Sequence, residues 1–271
     1  MSARGGAPLG AQVAALVATH LSDRRRSVLA WGLPLGLMSS FIVAIYPSVE
    51  ESLSKAIRGY PQGLKEAFGI GQLSNIEQYL HAEMLSLIVP LAMGYLAVRA
   101  IASGLTLAAE SGRLDVLLSA PVSRSRVVLA GFLATAVELA VVLLVTGLLC
   151  GIGSLLAGSG LDASRAAAGF ADVWPLALLF AGFAAIAAGF SLRTSVVTGS
   201  VAGLLVAMYV VDLVGRLDTG LSGLRYASVF KYYGNAIEDG IEPVAFLGVT
   251  LAACALAALG AWLFERRDLA A

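Results

Sequence analysis

Six separate stretches of this chain are apolar for about 18 residues or more, the length a helix needs to cross a hydrocarbon core of about 30 Å. They fall at 28–46, 84–108, 127–157, 174–192, 195–214 and 243–264. Lipid offers no water to unpaired N–H and C=O groups, so each stretch must satisfy its backbone internally, as an α-helix. The sequence therefore predicts an all-α integral membrane protein with six transmembrane helices. Composition agrees: 58% of residues are hydrophobic and 13% charged, against roughly 45–50% and about 25% in soluble domains. A formal net charge of zero gives nucleic-acid binding no electrostatic support. Cys150 and Cys254 both lie inside apolar runs, where they read as small hydrophobic fillers rather than disulfide or metal ligands.

The flanks organise the chain into residues 1–27, a six-helix domain over 28–264, and a tail from 265 to 271. Leu9, Val13, Leu16, Val17 and Leu21 share one helical face ahead of Arg24, Arg25 and Arg26, which predicts a helix lying in the membrane interface. The first long apolar run begins only after that Arg triplet and no small-x-small cleavage site follows it, so the first span is expected to remain in the mature protein. Pro34 is tolerable within that span, and Pro47 is expected to end it. Ser48 to Glu83 reads as a polar loop with two short helical pieces broken by Gly59, Pro61 and Gly63. With six spans, Arg4, the Arg triplet, Arg113, Arg124, Arg126, Arg193, Arg266 and Arg267 share one side, which the positive-inside rule assigns to the cytoplasm together with both termini. No internal repeat stands out as an inverted pair of halves.

Charges inside the spans are few. Glu138 has apolar neighbours on both sides, and a charge at a helix centre costs on the order of 3 kcal/mol, so it calls for a polar partner or a function. Arg99, in the second span, is the candidate partner. Asp212 is read as interfacial, and His81 with Glu83 as a solvated pair near the start of the second span. Small residues concentrate in spans three to five: Gly147, Gly151, Gly153 and Ser154, then Gly182, Ala185 and Gly189. They allow close helix approach in lipid, either within one bundle or at a subunit interface or moving seam.

The most informative segment is ESGRLDVLLSAPVSRSR, Glu110 to Arg126, the turn between spans two and three. Leu114, Leu117 and Leu118 fall at i, i+3 and i+4, and Pro121 stops the pattern. So short an amphipathic helix is marginal alone in water. Its apolar face must rest on the bilayer interface, on its own bundle, or on a soluble partner.

This string resembles the signature of type-2 ATP-binding-cassette exporter permeases, through Glu110, Gly112, Leu114, Asp115, Leu117, Leu118, Pro121 and Arg124. Arg113 departs from it, standing where those permeases carry a small residue or Thr. The ending FERRDL, Phe264 to Leu269, and the loop YPQGLKEAFG, Tyr60 to Gly69, are similar to elements of the drug and antibiotic exporters of that class. The resemblance implies that the turn is a cytoplasmic coupling helix seated in a cleft of a separate ATPase subunit, that ATP and Mg belong to that partner, and that the chain sits in the bacterial plasma membrane. The chain contains no GxxxxGK[ST] phosphate cradle, no HExxH zinc pattern and no GxSxG nucleophile elbow.

The expectation is a permease subunit moving an amphiphilic molecule outward. One coupling turn offers a docking site for one of two ATPases, so a homodimer or a heterodimer with a similar permease is expected, surrounded by membrane lipid. An ion-coupled secondary carrier is the alternative and would require several paired charges near the bilayer midplane, where only Glu138 and Arg99 are available. A lipid-modifying membrane enzyme would require clustered His, Asp or Glu at one face, and none is evident.

Overall fold

A computed structural model describes residues 24–58, 75–110 and 124–266. Among these every regular element is helical. The α-helices are α1 (Arg25–Arg58), α2 (Ile76–Leu80), α3 (Ile88–Glu110), α4 (Arg124–Ala157), α5 (Ala163–Phe190), α6 (Thr194–Leu217), α7 (Ala236–Asp239) and α8 (Pro243–Glu265). A π-helical turn, His81–Leu85, joins α2 to α3, and two 3₁₀ segments, Thr219–Ala227 and Val229–Lys231, lie between α6 and α7. Six helices are long and apolar enough to cross a membrane: α1, the continuous α2–α3 rod, α4, α5, α6 and α8. The six-span all-α architecture is therefore the fold. The interfacial helix expected over Leu9–Leu21, the loop Tyr60–Gly69 and most of the coupling turn lie outside the described residues.

Three boundaries differ from the sequence expectation. Pro47 does not end the first span: α1 continues through it to Arg58. A proline removes only its own N–H bond to the preceding turn, and at 1.5 Å per residue a 34-residue helix is about 51 Å long, so its last turns extend past the hydrocarbon. The second span starts at Ile76 rather than Met84, with Asn75 as N-cap accepting from the Gln78 amide at 2.8 Å. The fourth starts at Ala163 rather than Trp174, because Asp162 caps it through the Ser164 and Arg165 amides at 2.8 and 3.0 Å. The Ala-rich first turns of α5 are good helix formers although less apolar than the rest.

Helix α5 is the centre of the bundle. Its most apolar stretch is 72% buried, against 22% for α6 and α8 and 28% for α1; those three lie at the periphery of the bundle. Helix α5 packs on α8, α3 and α4, while α1 lies along α4. Helices α1 and α4 run parallel in close contact. A Cβ at Gly32 would lie 3.1 Å from Val145, one at Gly36 2.9 Å from the Leu149 Cβ, and one at Gly153 2.8 Å from the Ser40 Cα. This is a Gly-x-x-x-Gly approach of two backbones. The small residues of α5 serve the same purpose within the chain: Gly182 meets Ala253 and Leu256 of α8, Gly189 meets Leu263, and Gly260 abuts the Ala185 backbone. That seam is internal packing between α5 and α8.

Candidate functional site: a three-helix clamp and an apolar groove

Arg24 precedes the first turn of α1, and its guanidinium is drawn into the bundle. Nη1 donates to Glu138 Oε2 at 2.7 Å and to Thr135 Oγ1 at 2.8 Å, both on α4. Nη2 donates to the Ala100 carbonyl of α3 at 2.8 Å. The Thr135 hydroxyl is free to accept because its own proton goes to the Gly131 carbonyl. The Arg24 side chain is 11% exposed and that of Glu138 1%. Two opposite charges at this burial survive because the fork geometry of Arg satisfies several acceptors at once.

The expected partner of Glu138 is thus corrected. Arg99 is exposed, and the ion pair belongs to Arg24. The reason is axial stagger. At 1.5 Å per residue, Glu138 stands about 21 Å from the start of α4, and α1 begins at that level, not level with the first turn of α4. Arg24 read as a flanking charge because the sequence does not reveal how far α1 is displaced along α4.

The clamp joins α1 to the two helices that bracket the Glu110–Arg124 turn. Glu110 is the last residue of α3 and Arg124 the first of α4. Gly112, Leu114, Asp115, Leu117, Leu118 and Pro121 lie outside the described residues.

A second polar node lies at the other end of the bundle. Asp212 is 2% exposed, and it accepts from Arg216 Nε at 2.7 Å and Arg225 Nε at 2.9 Å. It is a buried tie between α6 and the following 3₁₀ segment. Nearby, the Tyr233 hydroxyl donates to the Leu85 carbonyl at 2.8 Å, at the end of the π-helical turn, where regular bonding is interrupted. Burial, with the Asp172 charge adding to it, holds the Tyr233 hydroxyl far above its ordinary pKa, so it stays a donor. Among the described residues, no group of three or more His, Cys, Asp or Glu side chains is placed to hold a metal.

Between α4 and α5 lies a groove of about 710 Å³. Gly147, Gly151 and Ser154 of α4 form one side of it, and Phe170 and Trp174 of α5 with Phe246 of α8 the other. Nothing lies within 4 Å of a Cβ built on Gly151. The small residues of α4 therefore divide between two tasks, Gly153 closing on α1 and Gly151 opening the groove. Trp174 fixes one wall by donating from Nε1 to the Ala136 carbonyl at 2.8 Å.

Six helices long and apolar enough to cross a membrane, held by buried polar ties and opened by an apolar groove, describe a multi-pass membrane protein. Comparison with protein families identifies it further. The family model described as multidrug efflux system permease Rv1217c, C-terminal domain, matches residues 15–265, and the chain belongs to that family. A search of curated proteins finds no match.

Proposed function

We propose that this permease is the membrane subunit of an ATP-binding-cassette exporter that moves an amphiphilic molecule out of the cell, driven by a separate ATPase docked at the Glu110–Arg124 turn. ATP and Mg are bound in that ATPase. The chain works in the plasma membrane with both termini and the turn in the cytoplasm, paired with a second permease chain. The observation that carries the reading is the Arg24 clamp: α3 and α4, which hold the two ends of the turn, are locked to α1 by four polar groups. A push on the turn would then move α1, α3 and α4 as one body.

The test is co-purification of the complex with its ATPase, followed by ATP hydrolysis and transport. Burying one Leu is worth about 1.5–3 kcal/mol, so Leu117→Asp is expected to weaken docking tenfold or more through lost burial and an unpaired charge. Gly112→Val is expected to uncouple hydrolysis from transport while the permease still folds. Full ATPase binding and transport in both variants would reduce the turn to a connector. Transport by the permease without any ATPase would favour an ion-coupled carrier.

A further inference from the structure

Two of the carboxylates buried in this bundle are neutralised by arginine: Glu138 by Arg24, and Asp212 by Arg216 and Arg225. Asp172 is not. It stands about 14 Å along α5 from Ala163, at 1.5 Å per residue, and is half-buried. Among the described residues no Lys, Arg or His is within ion-pairing distance of it. The Gly234 amide hydrogen-bonds its carboxylate, and the charged side chain acting on it, Glu242, is of the same sign. An ionisable group inside a span without a counter-charge marks a ligand or transport path.

Asp172 lines a cleft of about 10 Å³ with Pro175, Tyr232, Tyr233 and Phe246. That is the room one water-sized group occupies. Phe246 also lines the large groove, where it stacks on Trp174 with ring centroids 6.3 Å apart. Phe246 lines both spaces, which puts the cleft beside the groove. From Ala140 to Leu155 the groove follows α4 for about 22 Å, more than the roughly 15 Å of one leaflet.

We propose that the cleft and the groove are one binding site for an amphiphilic primary amine, its ammonium against Asp172 and its alkyl tail along α4 and α5. The proposal rests on reading the chain as an exporter permease and names the class of molecule it takes. Charge complementarity decides the occupant. Lipid tails are as apolar as the groove walls, so a tail gains little by leaving the bilayer and selection falls to the head. A lone carboxylate among aromatic rings favours a cation, and the cleft size favours an ammonium over a bulky trimethylammonium.

The test uses Trp174 as reporter. The full chain carrying Trp31→Phe and Trp262→Phe, which leaves Trp174 as its single tryptophan, is placed in nanodiscs of zwitterionic lipid. A long-chain primary amine brominated along its tail is titrated in, beside the alcohol, the carboxylic acid and the trimethylammonium of the same tail. The amine is expected to quench Trp174 saturably, and the other three at least tenfold more weakly. Asp172→Asn is expected to weaken the amine tenfold or more. Gly151→Leu, whose Cβ meets open space and whose longer side chain projects into the groove, is expected to abolish saturable quenching with Asp172 intact. Equal quenching by amine and alcohol, or no effect of Asp172→Asn, would show that the groove holds hydrocarbon of any head and overturn the proposal. Absence of saturable quenching by every compound would mean that protein, such as a second copy, covers the groove, and would also overturn it. The reading needs no ATPase, so its failure is separable from failure of the exporter assignment, which the docking experiment decides.

Discussion

Replacing Arg24 with Met keeps an apolar stem of similar reach and removes the charge that Glu138 faces. Glu138 is 1% exposed and Arg24 is the partner its carboxylate has among the described residues, so the change leaves a buried carboxylate without its cation, and removing one partner of a buried pair costs about 3–5 kcal/mol. Glu138→Leu is expected to cost less, about 1–3 kcal/mol, because Arg24 sits at the end of α1 and its long side chain can turn toward water. The double variant Arg24→Met, Glu138→Leu removes both desolvation penalties together with the attraction, and it should return to within about 1 kcal/mol of the parent. Its departure from the sum of the singles then gives a coupling of several kcal/mol between α1 and α4. Arg99→Met, at an exposed position, is the control and should fall within about 0.5 kcal/mol of the parent. The measurement is reversible unfolding of the purified protein in mixed micelles. The reasoning is refuted if Arg24→Met costs no more than Arg99→Met, or if the two single losses simply add.

Other perturbations probe packing, capping and the π-turn. Gly153→Ala forces a Cβ to within 2.8 Å of the Ser40 backbone and should cost about 1–3 kcal/mol by overpacking; Gly151→Ala, with open space around it, should be near neutral in the same unfolding assay. Tyr233→Phe leaves the Leu85 carbonyl without its 2.8 Å donor and should lower stability by about 1–3 kcal/mol, with faster amide exchange over His81–Leu85. Asp162 has its carboxyl pKa lowered by bonds from the Ser164 hydroxyl and the Arg165 and Ser164 amides. A lowered folded pKa means that the cap stabilises above the ordinary carboxylate pKa of about 4 and that its contribution is lost as pH falls through the lower folded value. Asp162→Asn should therefore keep the start of α5 while flattening that acid dependence, and Asp162→Ala should fray Ala163–Ala166 at neutral pH, both read by amide exchange.

Hydropathy by itself determined that this chain spans a membrane six times, because crossing lipid is a local requirement met by about 20 consecutive residues. It also determined that Glu138 needed a polar partner, since the cost of a lone charge does not depend on the fold. Which cation supplies it was decided only by the tertiary structure. The stagger of α1 against α4 follows from Gly32, Gly36 and Gly153 closing on Val145, Leu149 and Ser40, contacts more than a hundred residues apart, and that stagger puts Arg24 rather than Arg99 beside Glu138. Asp172 shows the same limit. The span expected from Trp174 left it outside, because the first turns of α5 are Ala-rich and include Arg165, whereas the helix begins at the Asp162 cap and contains it. The glycines of spans three to five announced close approach without saying to what. Gly182 and Gly189 proved to lie against α8, Gly153 against α1, and Gly151 against open space. Facing neighbours are set by the packing of whole helices, and no stretch of sequence contains them.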